Sequence, residues 1–304
     1  MSIATRHPRL GFTLLEMLVV LCIFGITVGG ILTVLMRQQR FYHSANEVSA
    51  MRGQLRMGLG AVVADLRSIS PGAGDIYSLS DRGIEMRSTI GSSITCRIPT
   101  TKSIVIPPST LTNGNTLTAW MSAPVATDSF FVYDDSSSVT VAAWKRFKIE
   151  TISAVSGASG CTTATGFVQA TDTTRQSYLI TIPASATLPT TLLTGAPIRF
   201  FRRVRYELYQ ATDALWYLGY FDCIAGRSPV CNPMRPMAGP FRDYSASPAQ
   251  SGLLFSYFDG TGTPLSANIA SAPNVARIMV SLTGAAQSKL TDSLVMDVAL
   301  RNRR

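Results

Sequence analysis

Histidine, the residue most often used for acid–base catalysis and for binding metals, is scarce in this sequence. The 304 residues contain two histidines, His7 and His43, which argues against a histidine-based triad or a polyhistidine metal site. The sequence also has no G-x-S-x-G, S-x-x-K, P-loop or G-x-G-x-x-G motif. We therefore expect a protein that is not an enzyme and that holds no cofactor.

Two acidic segments have the residue types of an oxygen-based cation site. Asp134-Asp135 and the segment from Asp259 to Gly262 can offer carboxylate and hydroxyl oxygens to calcium. Neither segment has the spacing of an EF-hand loop, and aspartate and glycine are common in turns for reasons of backbone geometry. We interpret both segments as turns and predict no metal site.

One stretch mixes basic and aromatic residues, as do surfaces that bind single-stranded nucleic acid. Its members are Arg199, Phe200, Phe201, Arg202, Arg203, Arg205 and Tyr206. Because successive side chains of a strand point to opposite faces, a strand with solvated arginines on one face explains the same pattern. We prefer this second interpretation and keep DNA as a candidate partner.

Five cysteines are present, and four of them follow the apolar N-terminal region. Cys22 lies within that region, where a free thiol acts as a small apolar group. The other four are even in number, as in an exported domain with two disulfides. We favour a Cys223–Cys231 bond because so short a separation suits a loop, and Cys96–Cys161 follows by elimination. The alternative is reduced or metal-bound thiols, although the sequence has no C-x-x-C pair to indicate zinc.

Composition and charge are those of a folded protein. The formal net charge is +9, 15% of the residues are charged, and the mean hydropathy is +0.21. These values exclude a charged disordered tail, and the length suits one or two domains with a core. The basic excess suits nucleic acid, anionic lipid or an acidic partner and does not decide among them.

An apolar stretch near the N-terminus, from Met17 to Met36, contains no charged residue. At about 1.5 Å per helical residue it spans roughly 30 Å, the thickness of the hydrocarbon core of a bilayer. A short basic segment with Arg6, His7 and Arg9 precedes it. We predict one membrane-spanning helix over residues 12–36, followed by a large extracytoplasmic head.

The junction before this stretch has the sequence GFTLLE, from Gly11 to Glu16. Thr13 and Glu16 have the spacing of a capping box, which explains these two residues but neither Gly11 nor Phe12. An ordinary secretory signal would have a shorter apolar core and a small-residue cleavage site. A plain signal anchor is a further alternative, because basic residues flank the apolar stretch on both sides.

Gly11 followed by Phe12, with Glu16 as the one acid at the start of the apolar stretch, resembles the class III signal of type IV prepilins and type II secretion pseudopilins. The resemblance implies that a prepilin peptidase cuts between Gly11 and Phe12 and that Phe12 is then N-methylated. Residues 1–11 would be a cytoplasmic leader. The resemblance also implies that Glu16 pairs with the terminal amine of a neighbouring subunit, since an unpaired carboxylate in hydrocarbon is costly.

The helix is predicted to continue beyond the membrane as an amphipathic segment over residues 37–70. Apolar residues recur at spacings of three and four and form one stripe, namely Phe41, Val48, Met51, Leu55, Leu59, Val62, Leu66 and Ile69. The sequence from Pro71 to Gly74 ends the helix. We predict one helix from about Phe12 to about Ile69.

Short β-rich runs between turn residues follow the helix, and no βαβ rhythm is visible. The predicted strands are Gly83–Thr89, Ser103–Ile106, Phe130–Tyr133, Ser138–Ala142, Phe147–Ile152, Ser177–Ile182, Ile198–Tyr209, Leu215–Phe221, Leu253–Phe258, Ala276–Leu282 and Leu294–Leu300. A Ser/Thr-rich insertion of strands and loops is predicted at about 91–197, within a head of residues 71–304. The predicted fold is α+β and type IV pilin-like, with a long helix packed on an antiparallel β-sheet.

Short motifs extend the resemblance into the head. The sequences VADLR at Val63–Arg67 and FSYFDG at Phe255–Gly260 are similar to those of PilW-type minor pilins and J-type minor pseudopilins of type II secretion. The segment Asp297–Asn302 is also similar to PilW-type ends. The length of the chain favours the PilW type, because J-type pseudopilins are usually shorter.

The resemblance implies a minor pilin, a non-enzymatic subunit that helps to initiate a type IV pilus and has a place at its tip. The implied partners are prepilin peptidase, other minor pilins, the major pilin, the inner-membrane assembly platform and the lipid bilayer. The implied location is the inner membrane, crossed once with the head in the periplasm or outside, and then the pilus on the cell surface. Alternatives are a type II secretion pseudopilin and a tip receptor for DNA or a surface.

Overall fold

A long α-helix, α1 (Leu14–Leu66), opens the part of the chain that the structure describes. This computed structural model describes residues 14–135, 143–223, 231–245, 247, 250–285 and 290–300. The predicted long helix is confirmed, although it ends at Leu66 and the chain reaches Ile69 through a turn. A short 3-10 turn at Pro71–Ala73 then leads into the head, as expected where proline and glycine follow a helix.

Only the last third of α1 is covered by the head. The predicted stripe is buried from Met51 onward, because the sheet packs against it from that residue to Leu66. The prediction was wrong for Phe41, which is 70% exposed, and Val48 is only half-buried. These residues lie on a segment of the helix that projects beyond the edge of the sheet.

The head consists almost entirely of β-strands. In chain order the strands of the described residues are β1 (Ile76–Leu79), β2 (Gly83–Ile94), β3 (Arg97–Thr100), β4 (Ser103–Ile106), β5 (Ala119–Trp120), β6 (Ser129–Asp134), β7 (Ala143–Lys148), β8 (Thr151–Val155), β9 (Ser177–Thr181), β10 (Pro197–Gln210), β11 (Trp216–Cys223), β12 (Cys231–Phe241), β13 (Leu253–Phe258), β14 (Pro264–Leu265), β15 (Arg277–Ala285) and β16 (Thr291–Ala299).

These strands form two antiparallel sheets, which confirms the predicted α+β class. The larger sheet has the order β1-β2-β10-β11-β12-β15-β13-β14, with β16 paired to β15, β5 to β2, and the β6–β7 hairpin to β10. The smaller sheet has the order β3-β4-β9-β8 and lies between β2 and β10 in the chain.

Strand β10 contacts both α1 and the smaller sheet and so connects each of them to the larger sheet. Its even-numbered residues from Ile198 to Leu208 are buried, while the intervening residues are not. Val204, Tyr206 and Leu208 pack with the stripe of α1, whereas Ile198 and Phe200 pack with the smaller sheet. The helix and the smaller sheet therefore cover the same face of the larger sheet at different positions along its strands.

Most predicted strands are present with small shifts of their ends, but some were wrong or missed. The run predicted at Phe147–Ile152 is split by a turn between β7 and β8, and the run at Ser138–Ala142 lies outside the described residues. Strand β12 was missed because its sequence, CNPMRPMAGPF, contains three prolines. Proline is tolerated at an open strand edge, and β12 pairs with β15 at a single residue pair, Phe241 with Gly284.

Both predicted disulfides are present. Cys96 and Cys161 are bonded within a small apolar cluster that includes Val105 and Val168, and their Cα atoms are 5.5 Å apart. Cys223 and Cys231 are bonded across the facing ends of β11 and β12. Each bond therefore joins segments that are already neighbours in a sheet or a core.

Candidate functional site

The predicted processing and assembly residues lie at the start of α1. Glu16 is in the first turn of the helix, and its side chain is exposed. A carboxylate at this position is favourable because the helix N-terminus carries partial positive charge. Gly11, Phe12 and Thr13 lie outside the described residues.

The first half of α1 presents an apolar surface on all sides. From Leu14 to Met36 each side chain is exposed except that of Val28, which is half-buried. The Thr27 hydroxyl donates to the carbonyls of Ile23 and Phe24 at 3.0 and 2.9 Å, and the Thr33 hydroxyl donates to that of Gly29 at 2.8 Å. The polar groups of these threonines are thus satisfied inside the helix, which suits hydrocarbon. By length and composition, α1 is one helix that can cross a membrane.

A single carboxylate fixes the other end of α1 to the sheet. Asp65 Oδ2 accepts hydrogen bonds from the Ser88 hydroxyl on β2 and the Tyr206 hydroxyl on β10, both at 2.7 Å. Burial raises the pKa of Asp65 above its ordinary value of 3.8, although both hydrogen bonds oppose this effect. Burial and the nearby Asp65 charge also raise the pKa of Tyr206. These contacts set the rotation of the helix on the sheet.

The role of Asp65 was missed at the sequence level. It lies in the VADLR motif, but helical spacing places it beside the apolar stripe and gives no sign of its partners. Ser88 and Tyr206 are 23 and 141 residues further along the chain. Only the pairing of β2 with β10 brings their hydroxyls to the same carboxylate.

One cluster of the described residues has donor atoms close enough for a metal ion, namely Glu85, Cys223 and Cys231. The chemistry of these donors does not fit a metal, because both sulfurs are joined in a disulfide and no thiolate is available. The Glu85 carboxylate also forms ion pairs with Arg203 and, at 3.1 Å, with Arg205. We therefore assign the cluster a structural role.

Carboxylates of both candidate calcium segments accept hydrogen bonds from the chain itself. Asp259 Oδ1 accepts hydrogen bonds from the Thr261 and Thr263 amides and from the Thr261 hydroxyl at 2.7 to 2.9 Å. These bonds lower the pKa of Asp259, the Thr261 hydroxyl having the largest effect. In the other segment, the buried Asp134 accepts a hydrogen bond from the Thr191 hydroxyl at 2.7 Å. Both carboxylates serve as acceptors for the chain itself.

The stretch of arginines and aromatic residues is divided between the two faces of β10. Phe200 and Tyr206 point into the core, whereas Arg199, Phe201, Arg203 and Arg205 lie on the uncovered face. The expectation of solvated arginines was wrong for Arg202, which is 3% exposed. Its guanidinium donates to both carboxylate oxygens of Asp128, so its buried charge is paired.

Comparison with known proteins adds a finding at the N-terminus. Residues 6–32 match the family model of the prokaryotic N-terminal methylation motif. No curated protein and no solved structure matches the chain. The matched region contains the GFTLLE junction and the first part of the exposed apolar helix.

The motif and the fold together define the class of this protein. It carries a type IV prepilin-like class III signal, and its long helix on an antiparallel sheet has the type IV pilin-like architecture. The chain is therefore a type IV pilin-like protein of a pilus or a pseudopilus. The apolar helix behind the signal indicates that it is anchored in a membrane.

Proposed function

We propose that this protein is a minor pilin of a type IV pilus. In this proposal it is a non-enzymatic subunit of the PilW type that helps to initiate assembly and sits at the pilus tip. The observation that carries the proposal is the continuous helix α1, which is exposed over its apolar half and held by the head over its last turns. Such a helix can be stored in a bilayer and then transferred, with its head, into a bundle of similar helices.

Glu16 gives the assembly step its specificity. Prepilin peptidase would cut between Gly11 and Phe12, which leaves a new amine on Phe12 close in sequence to Glu16. Within a bundle of apolar helices, a carboxylate without a partner would be costly. We infer that Glu16 pairs with the terminal amine of a neighbouring subunit, either another minor pilin or the major pilin.

The head supports a place at the end of the filament. The smaller sheet and the β6–β7 hairpin enlarge the head beyond the sheet that holds α1. A large head is accommodated most readily at the tip, where subunits have neighbours on one side only. The similarity of the VADLR and FSYFDG sequences to PilW-type minor pilins supports the same placement, whereas the J-type pseudopilins that they also resemble are usually shorter.

The location follows from the proposed assembly route. The protein would first cross the inner membrane once, with its head in the periplasm, where both disulfides are stable. The assembly platform of the inner membrane would then move it into the pilus on the cell surface.

The substitution Glu16→Gln tests this proposal. Glutamine can still close a capping box, so the helix start and the processing after Gly11 are expected to be retained. Glutamine cannot provide the charge, and loss of one member of a desolvated pair usually costs several kcal/mol. We expect a mature chain that begins at N-methyl-Phe12 by mass analysis, yet does not co-purify with sheared pili or with other minor pilins.

The matched control is Glu47→Gln, which removes a carboxylate from the same helix outside the apolar stretch. This variant is expected to be processed and incorporated normally. Normal incorporation of Glu16→Gln would contradict the assembly role of the charge. A wild-type chain that retains Met1, or that begins beyond Met36, would contradict the pilin assignment itself.

A further inference from the structure

One face of the larger sheet carries aromatic and basic side chains and is covered by no element of the described residues. Both α1 and the smaller sheet pack on the opposite face. We call this uncovered surface the outer face and define it by six residues of β6, β7 and β10, which are Phe131, Tyr133, Trp144, Arg199, Phe201 and Arg203. The proposed role in pilus assembly does not use it.

The rings of the outer face lie next to one another on three adjacent strands. Phe131 on β6 and Phe201 on β10 have ring centroids 5.0 Å apart, and Tyr133 and Trp144 have centroids 5.4 Å apart. Trp144 is 38% exposed although it lies on a strand, where a large ring is usually covered. Phe131, Tyr133 and Phe201 are half-buried, and the buried Arg87 guanidinium lies 5.4 Å from the ring centroid of Phe131. Trp144 is therefore the most accessible ring of this platform.

Cations border this platform. The Arg199 guanidinium lies 4.8 Å from the ring centroid of Trp144. Arg146 and Lys148 on β7 stand opposite Phe131 and Ser129 on β6, and both are exposed. Among the described residues, Arg146, Lys148 and Arg199 have no ion-pair partner, whereas Arg203 is paired with Glu85.

We propose that the outer face binds single-stranded nucleic acid. Open rings on a β-sheet can stack with unpaired bases, and the bordering cations can contact the phosphates. A polyanion without bases would use the cations but not the rings. A duplex keeps its bases stacked inside, so it would leave the platform unused. The combination of rings and unpaired cations on one face of the sheet therefore fits a single strand best.

The contact between Arg199 and Trp144 is compatible with this role. Arg199 is exposed, so its side chain can move from the ring to a phosphate when a base stacks on Trp144. The alternative is that cation–π contacts only stabilise the sheet surface. The two roles differ in a measurable way, because a structural contact predicts no affinity for an oligonucleotide.

The test uses the full chain in micelles of an uncharged detergent. Binding of a fluorescently labelled oligothymidylate is measured by anisotropy for the wild type, Trp144→Leu and Arg199→Gln, at several salt concentrations. Phe41→Leu and Arg67→Gln are matched controls, because they remove an exposed ring from the helix and an exposed cation from the turn after it. Thermal unfolding of each variant verifies that the fold is retained.

We expect Trp144→Leu to weaken binding by about fivefold or more, the effect of losing one stacked base. Arg199→Gln should weaken binding and reduce the slope of log affinity against log salt concentration by about 0.7, which corresponds to one lost phosphate contact on a single strand. Both controls should bind within about twofold of the wild type. Tryptophan fluorescence should be quenched on binding in the wild type, and less so in Trp144→Phe, which keeps a ring for stacking.

Three results would overturn the proposal. The first is no detectable binding of the oligothymidylate at low salt. The second is an equal effect of Trp144→Leu and Phe41→Leu, which would show that the rings of the outer face take no part. The third is tighter binding of a duplex or of heparin with no dependence on Trp144, which would identify a general polyanion surface.

Discussion

Asp65 shows how one residue links the helix to the sheet. Its carboxylate is desolvated, and one oxygen accepts both the Ser88 and the Tyr206 hydroxyls. The pKa of Asp65 is raised, so the folded state holds the proton more tightly than the unfolded state does. The stabilising effect of protonation is present at low pH and is lost as the pH rises through the folded-state pKa.

Asp65→Asn is expected to remove this pH dependence. The single amide oxygen of asparagine can accept both hydroxyl donors, so the contacts are kept while the buried charge is lost. The free energy of unfolding of the wild type should fall, relative to that of the variant, as the pH rises from about 4 toward neutrality. Burial raises the pKa of Tyr220 to about 12 and also that of Tyr206, so neither tyrosine titrates in this range.

The measurement is denaturant unfolding at several pH values, followed by tryptophan fluorescence. Asp213→Asn is the control, because Asp213 lies on the surface and also bonds a tyrosine hydroxyl, that of Tyr217, at 2.7 Å. A wild type and an Asp65→Asn variant with parallel pH profiles would show that the Asp65 carboxylate is not desolvated.

At the scale of elements, glycines allow α1 to approach the sheet closely. A Cβ atom at Gly58 would lie 3.1 Å from Leu282 Cδ1 and 3.3 Å from both Ala238 Cβ and Leu218 Cδ2. On the sheet, a Cβ atom at Gly284 of β15 would likewise collide with the side chain of Met51 on α1. Small residues at these contacts bring the two backbones together and bury the stripe of the helix.

Gly58→Leu is therefore expected to destabilise the head by about 1–3 kcal/mol through overpacking. Gly60→Leu is the matched control, because a Cβ atom there has no neighbour within 4 Å and the residue faces solvent. This control should gain up to about 1 kcal/mol from the higher helix propensity of leucine. Thermal unfolding of both variants measures the difference, and equal shifts would contradict the close approach at residue 58.

The elements differ in how far their sequence reveals them. The stripe from Met51 to Leu66 and the alternating apolar residues of β15 follow regular periods, and both are found as predicted. Strand β12 has no such period, because its prolines and its irregular pairing with β11 replace the usual alternation. The exposed Phe41 continues the helical period beyond the sheet, and periodicity alone cannot show where the covering layer ends.

At the scale of the whole molecule, the two larger of the three cores in the described head meet at a buried ion pair. One core lies between α1 and the larger sheet, and the other lies between the larger and smaller sheets. Arg202 on β10 lies where the two cores meet. Its guanidinium forms ion pairs with Asp128, just before β6, and with Asp222 on β11, at 2.7 and 3.5 Å. The Cys96–Cys161 bond is confined to the side of the smaller sheet.

Removal of that bond in a Cys96→Ala, Cys161→Ala variant is expected to loosen the smaller sheet selectively. The bond closes a loop with a sequence separation of 65, for which chain entropy predicts a loss of about 4 kcal/mol. Hydrogen exchange should accelerate in β4 and β9 but not in β13 and β15. Cys22→Ala, which removes an exposed free thiol, should change neither pair of strands, and uniform acceleration over the head would contradict two separable cores.

The packing of α1, which lies near the start of the chain, against strands that come much later in the sequence has a consequence for biosynthesis. The surface of the helix that faces the head is translated early. Strands β15 and β16, which pack against this surface, are translated after the other described strands. Arg52 on the helix forms its ion pair with Asp292, which is 240 residues later in the chain. Until β16 has been translated, the stripe that begins at Met51 therefore lacks its final cover. A nascent chain that stops short of β16 leaves this apolar surface open to chaperones and proteases, so cellular quality control can recognise incomplete chains.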